Sequence, residues 1–499
     1  MKPFQRLVTS KFIFSLLLSS YCLTAMARGG GGGGHSSHSS SSGHSSGGSF
    51  SGGSFSGGGG GSFSFLVFIV IVILVVYLIK RNANKNGSNN NNNGRNQLSD
   101  GINDAVGGGI LGSILGTVAS LTNSNNGGAP AGSKNFPEGL TSQKITTAFM
   151  EIQAAWQEQD LSKVRKWISD GVYQRFTAQF EMMKKLTQRN YLSNIRIYDI
   201  SVADTYTDGV YECSDIAITF SMDDKFICDK YPSLNESYYG DTDTEYWTFI
   251  KRKDASASTT TDLYSNNNCP NCGASLENKL GEVSRCSSCG TLTNNAAYDW
   301  ILSEITQDQD YEGRQSSLLS DVQLQELVKN DPLFSVQRME DIASNVFMQI
   351  MEVLSGDNNK KLSRFAEKET AGKILEIKEK NGLFVFDRLY LNDVTLSSYD
   401  TNNGNLNLHF DLGASFKRVQ IKENNVRWID HDFVDARFQM VLSKKLTALQ
   451  VPPKEIAFSY ECANCGAPYD DTTNDTCTYC GASVVDLAQN WALTDFVIH

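Results

Sequence analysis

Histidine is scarce in this chain of 499 residues: there are six, three of them before residue 45 and none again until His409. Residues 136–311, the first part of the globular mass, therefore hold no imidazole for general acid/base work. No Ser/His/Asp layout and no phosphate-cradling glycine loop is present either. Positive charge is also short. From Phe136 onward 35 basic residues face 53 acidic ones, and two tetrathiolate metal sites would each add about −2. Such a surface repels a phosphate backbone, because nucleic-acid affinity comes largely from neutralising phosphates with Lys and Arg; nucleic acid is not an expected partner.

Apolar side chains are few in residues 28–64, a Gly/Ser-rich tail with only Phe50, Phe55 and Phe63 beside His35, His38 and His44. With almost nothing to bury and high backbone entropy to lose, it is expected to stay disordered, and its histidines to be solvated. Residues 1–27 have Lys2, Arg6 and Lys11, an apolar run, then AMA before Arg28, the layout of a cleavable signal peptide. Residues 65–79, FLVFIVIVILVVYLI, carry no charge; with Phe63 and Ser64 they make a helix of ~25 Å, a short transmembrane span. Lys80, Arg81, Lys85 and Arg95 follow it, and the positive-inside bias places everything beyond in the cytoplasm of a single-pass inner-membrane protein. Residues 80–135 read as an Asn/Gly-rich linker. Within it, 104–121 repeats Gly108, Gly112 and Gly116, the spacing of close helix packing in lipid. A peripheral or re-entrant segment fits the charge bias there, and a second crossing stays open.

The globular part repeats itself. FMEIQAAW (149–156) returns as FMQIMEVL (347–354), and Trp300 and Trp491 each lie eleven residues past the last cysteine of a cysteine module. This is a tandem duplication, 136–311 and 331–499. In each unit helical periodicity comes first, including LSKVRKWI (161–168), and β-rich runs follow. The fold class is α+β: helices on one face of a curved antiparallel sheet, twice.

The modules are Cys269, Cys272, Cys286 and Cys289 within 269–290, and Cys462, Cys465, Cys477 and Cys480 within 462–481. Each is CxxC, a gap, then CxxC, with glycine after the second cysteine of every pair. Four soft thiolates on two tight turns match tetrahedral Zn²⁺ in a structural site, and two zinc ribbons are expected. The same ligands hold iron, and disulfides are disfavoured in a reducing compartment. Metal binding supplies on the order of ~10 kcal/mol to a unit too small to fold alone. Each ribbon interrupts its sheet before the last, Trp-containing strand. Cys213 and Cys228 read as inert buried thiols, and His409, alternating with apolar neighbours, as a satisfied strand histidine.

The stretch FMEIQAAWQEQDLSKVRKWISDGVYQRF with the strand EYWTFIKRK resembles the C-terminal domain of the mitochondrial import-motor tether, the translocase-of-inner-membrane forty-four-like family. Ile152, Gln153, Ala155, Trp156, Asp160, Leu161 and Trp247 to Phe249 carry the likeness. In the second unit Leu354 stands in place of Trp156 and the strand tryptophan is absent. The whole layout is similar to bacterial membrane-anchored zinc-ribbon transport proteins. The resemblance implies two cone-shaped domains related to nuclear transport factor two, membrane-proximal scaffolding, and contact with membrane lipid and with a protein partner or apolar ligand. Import-motor tethering itself does not carry over, because the long charged N-terminal region of the mitochondrial protein is missing. A non-enzymatic binding protein is the expected function. The alternative is an isomerase or dehydratase using the cone pocket.

Overall fold

Thr141 and Ser169 open the first two helices, each accepting a hydrogen bond from a backbone N–H one turn in: Lys144 N at 3.1 Å and Val172 N at 3.1 Å. The helices are α1 (Ser142–Glu158) and α2 (Asp170–Lys185). The computed structural model describes residues 134–240, 242–255, 262–276, 284–311, 313, 318–332, 334–423, 425–449, 462, 464–465, 467, 476–487 and 490–499. The signal peptide, the Gly/Ser tail, the membrane span and the linker up to residue 133 lie outside the described residues. Among the described residues no helix is long and apolar enough to cross a membrane.

Strands β1 (Gln188–Asp208), β2 (Tyr211–Cys228), β3 (Glu236–Tyr238), β4 (Thr242–Arg252) and β5 (Ile301–Gln307) follow. They form an antiparallel sheet ordered β1-β2-β4-β5, with β3 on β2. A second set repeats the scheme after α3 (Asp321–Asn330): α4 (Val336–Ser355), α5 (Lys368–Asn381), β6 (Val385–Asn402), β7 (Asn405–Lys422), β8 (Asn425–Trp428), β9 (Val434–Lys445) and β10 (Ala492–Ile498). Its sheet is β6-β7-β9-β10, with β8 on β7. The protein is α+β with two antiparallel sheets of the same strand order.

Both first strands carry three register shifts against their partner, and such bulges bend a strand over a core. On β2 the even residues Ile216 to Phe226 face the first core, where the Phe149 ring of α1 lies 4.9 Å from Phe220 and 5.5 Å from Trp247. In the second half Phe347 of α4 lies 4.9 Å from Phe438 of β9. Period-2 burial on the strands against period-3.6 burial on the helices therefore closes each core.

The helical reading of 161–168 is corrected. These residues are a chain of turns, with bonds such as Arg165 N to Leu161 O (2.9 Å) and Trp167 N to Val164 O (3.0 Å), not a helix. Gln159, left-handed at φ 55°, ends α1, and the chain must then reach β5 at the edge of the sheet. There Leu302 N donates to Trp167 O (2.8 Å) and Ser169 N to Leu302 O (2.9 Å). The second half repeats this clamp: Leu493 N donates to Phe365 O (2.7 Å) and Glu367 N to Leu493 O (2.9 Å). Helix α3 was not foreseen either; its Leu327 is fully buried in the second core.

The halves meet along α2. Ala178, Met182 and Leu186 belong to the same apolar cluster as Phe347 and Leu389. Gly171 allows the approach to α4: a Cβ there would lie 2.2 Å from Asp341 Oδ1 and 2.6 Å from Ser344 Oγ. The β1–β2 turn does the rest. Asp208 accepts from Val336 N (3.0 Å) and Gln337 N (2.8 Å), so a carboxylate from the first half caps the first turn of α4.

Candidate metal centres

Each CxxC pair sits on a tight turn. Gly273 N, Gly290 N and Gly481 N donate to Cys269 O, Cys286 O and Cys477 O at 2.9, 2.9 and 2.8 Å. All three glycines have φ near +70° (72°, 75° and 72°), and a Cβ on any of them would meet nothing, so the backbone conformation, not crowding, demands glycine. The turn then closes into a two-strand ladder, with Cys269 N to Ala274 O (2.7 Å), Cys286 N to Thr291 O (2.8 Å), Cys462 N to Ala467 O (2.7 Å) and Cys477 N to Ala482 O (2.7 Å).

These turns bring all eight predicted cysteines together in two groups of four, and within each group the Sγ atoms lie within 4.8 Å of one another. Cys269–Cys289 and Cys272–Cys286 are 3.7 and 3.8 Å apart; Cys462–Cys480 and Cys465–Cys477 are 3.5 and 3.8 Å apart. A regular tetrahedron with Zn–S of ~2.3 Å has edges of about 3.8 Å. A disulfide would need ~2.05 Å, and every one of the eight thiols is free. Two tetra-cysteine groups that can hold metal ions are therefore present, and the donor set fits a soft tetrahedral metal.

The electrostatics point the same way. Hydrogen bonds from Thr291, joined by one from Asn271, hold Cys289 down to about 6. N–H groups of Cys465 and Asn464 hold Cys462 down to about 6. Burial pushes Cys269 up to about 12. Four sulfurs this close cannot all ionise unless a cation sits among them. The first cysteine of each pair is buried and the second exposed, so each group is sealed on one side, the first by Leu276 and Ala274.

Two supporting residues escaped the sequence reading. Asn271 Nδ2 reaches Cys289 Sγ at 3.6 Å, and Asn464 Nδ2 reaches Cys480 Sγ at 3.5 Å. Their signal was available: both modules open C-x-N-C. Amide donors of this kind orient and stabilise the thiolate that binds metal.

The first group lies between β4 and β5, the second between β9 and β10, and Trp300 and Trp491, both buried, stand one residue before the last strand rather than in it. The first is tied down closely. Lys166 Nζ donates to Asn266 O (2.8 Å) and Asn267 Oδ1 (2.6 Å), and Trp167 stacks on Tyr264 at 4.8 Å. Asn294 Nδ2 donates to Ile168 O (3.1 Å) and Asp170 Oδ1 (3.0 Å). Asp299 gathers Lys144 Nζ (2.7 Å), Leu263 N (3.1 Å) and Trp300 N (2.8 Å). Near the second group a cleft of roughly 890 Å³ separates α5 from Thr476, Ser483, Val485 and Leu487, and Lys445 N donates to Leu487 O at 2.9 Å.

Other singled-out residues fall elsewhere. His409 Nε2 pairs with Asp400 Oδ2 at 2.6 Å on a solvent-facing part of β7. Cys213 and Cys228 are buried, and burial raises both thiols, Cys228 to about 11. Buried acids were missed: Asp215, raised by burial to about 6 and bonded by Thr248 (2.8 Å) and Tyr311 (2.9 Å), and Asp341 at the seam, raised by burial to about 7. Nothing in the sequence marks these two, since burial is a tertiary property.

Compared with family models, curated proteins and solved structures, the chain matches none.

Proposed function

We propose that this is a single-pass inner-membrane protein whose cytoplasmic part is a binding scaffold, built from two cone-shaped units of the import-motor tether type related to nuclear transport factor two, each closed by a structural zinc ribbon. The observation that carries this reading is the equivalent placement of two thiol tetrads between the last two long strands of two sheets with one topology. When bound, zinc would supply a tetrahedral cross-link there; with four protein sulfurs around it no position is left for a reactive water. Cys269, Cys272, Cys286 and Cys289 would hold one ion, and Cys462, Cys465, Cys477 and Cys480 the other. The metal thus fixes the return of β5 and β10 to their sheets. The uncharged run 65–79 and the basic residues after it support the anchor and its orientation. Membrane lipid and a protein or apolar ligand are the partners.

Elemental analysis of the purified full chain is expected to give about two zinc ions per chain, and a protease added outside intact cells to leave residues beyond 80 uncut. Crosslinking in intact membranes is expected to recover a protein or lipid. Metal-free protein with its sulfurs oxidised in pairs, or cleavage of the acidic part from outside, would overturn the reading. Turnover of an isomerase or dehydratase substrate with no captured partner would favour the enzyme.

A further inference from the structure

Two carboxamides in the interior of the first half have nothing to bond. Gln153 on α1 and Asn190 on β1 are each 1% exposed. Neither Gln153 Nε2 and Oε1 nor Asn190 Nδ2 and Oδ1 has a hydrogen-bond partner, and the Trp156 indole N–H, one turn from Gln153, has none either. Buried polar groups in native proteins are almost always satisfied, because leaving one unmade forfeits its hydration without return.

The three groups share one neighbourhood. Gln157 Oε1 accepts from Leu192 N at 2.7 Å and Gln159 Nε2 donates to Gln188 O at 3.1 Å, so the end of α1 is tied to β1 on both sides of Asn190. Gln153 lies one turn earlier than Gln157 on the same helix face. Gln188 and Asn190 alternate with exposed Arg189 and Tyr191, which sets Asn190 on the buried face with Leu192. Phe180, Met183, Phe226 and Leu192 surround them, with the buried Asp224 across the ladder from Leu192.

The second half shows what a merely structural version of this place is made of. At the helix positions of Gln153 and Trp156 in the repeated octapeptide stand Met351 and Leu354, both buried in the second core. Where β1 opens with buried Gln188 and Asn190, β6 opens with buried Val385 and Phe386, followed by the buried ion pair Asp387–Arg388. At the two helix positions hydrocarbon closes the second core, so the Gln153 carboxamide and the Trp156 indole N–H are not needed to build it.

We propose that the end of α1 and the opening of β1 in the first half form a binding site for a neutral molecule that carries an amide or hydroxyl group on an apolar body. Two carboxamides offer donors and acceptors together, the indole adds a donor, and none brings charge. The site rests on the reading of the units as ligand-holding scaffolds and assigns the ligand to one of them.

Equilibrium dialysis of the purified full chain against N-hexylacetamide, hexanoate and hexylamine tests this. N-hexylacetamide is expected to bind at about one equivalent per chain, with the two ions at least about tenfold weaker, the discrimination of roughly one charge-neutral hydrogen-bonded site. Gln153→Met and Asn190→Leu are each expected to weaken it about tenfold or more while the thermal midpoint of the ligand-free protein holds or rises; Met351→Ala, in the second half, leaves binding unchanged. Amide binding that ignores both first-half variants would overturn the site while leaving the scaffold reading intact. Tighter binding of hexylamine or hexanoate would overturn the ligand class. Absence of binding by all three probes, with a lower midpoint in Gln153→Met, would show that water fills the place and would end the inference.

Discussion

The two halves share strand order, clamp and thiol tetrad, yet among the described residues the flanks of the two tetrads are held differently. In the first half Lys166, Asn294, Trp167 and Asp299 bind the ribbon's flanks to α1, α2 and the turns between them. In the second half a cleft lies at the corresponding place, between α5 and the ribbon's outgoing strand. The halves also differ inside, where hydrocarbon in the second half faces carboxamides in the first. A duplicated fold can thus keep its thiol tetrad in both copies while the same helix positions hold hydrocarbon in one copy and a carboxamide and an indole in the other. The duplicated parts are those on which closure of the sheet depends.

The largest effect expected from breaking the comparison is loss of metal. Cys286→Ser and Cys477→Ser should each lower the zinc content from about two ions to about one, at a cost of several kcal/mol out of the ~10 kcal/mol a structural site contributes. Hydrogen exchange should then separate the halves. In Cys286→Ser, deprotection is expected to spread from Ile301–Gln307 into the 161–168 turns, because ribbon, turns and strand are bonded together. In Cys477→Ser it should stay in Ala492–Ile498 and the segments bonded to that strand.

A smaller difference lies in the two equivalent hairpin turns. Gly209 has φ +58° and a Cβ there would lie 2.0 Å from Phe334 O, in the second half. Gly404 has φ +75° and open space. Gly209→Ala is expected to cost about 2–4 kcal/mol by chemical denaturation, Gly404→Ala about 1–2, the cost of the left-handed backbone alone. Equal costs would mean that the seam at Asp208–Gly209 adds nothing.

Asp341, which accepts from Ser169 Oγ and from Gly171 N at 3.0 Å, gives the seam a pH dependence. Burial, helped by Asp170, raises its carboxyl to about 7 against the opposing hydrogen bonds from Ser169 and Gly171 and the charge of Arg175. Because an unfolded aspartic acid ionises near ~3.9, the folded state holds more protons between those values. Stability from this group is full below about pH 4 and falls as pH rises through about 7. Asp341→Asn should flatten that decline in denaturation midpoints measured from pH 4 to 8. The smallest effect is expected at the exposed His409–Asp400 pair, where Asp400→Asn should change stability by less than about 1 kcal/mol.

Much of this was legible along the chain because it depends on spacing. Cysteine pairs two residues apart with a glycine behind them dictate a turn whatever surrounds it, and the thiol tetrads formed as read. Alternating apolar runs likewise located the six long strands of the two sheets, since period 2 leaves one buried face. The 161–168 segment misled because Leu161, Val164 and Ile168 have helical spacing while their burial comes from contact with β5 and the first core. A clamp between residues more than a hundred positions apart leaves no local mark.

Sequence by itself determined the matching thiol tetrads, the repeated order of elements and the α+β class, because those follow from periodicity and from the chemistry of short segments. Tertiary structure alone decided which acids are shifted toward neutrality, that Gln153 and Asn190 are buried without a partner, and that Asp208 of one half caps α4 of the other. Those properties depend on what is removed from water and what it meets there, and only the packed chain specifies either.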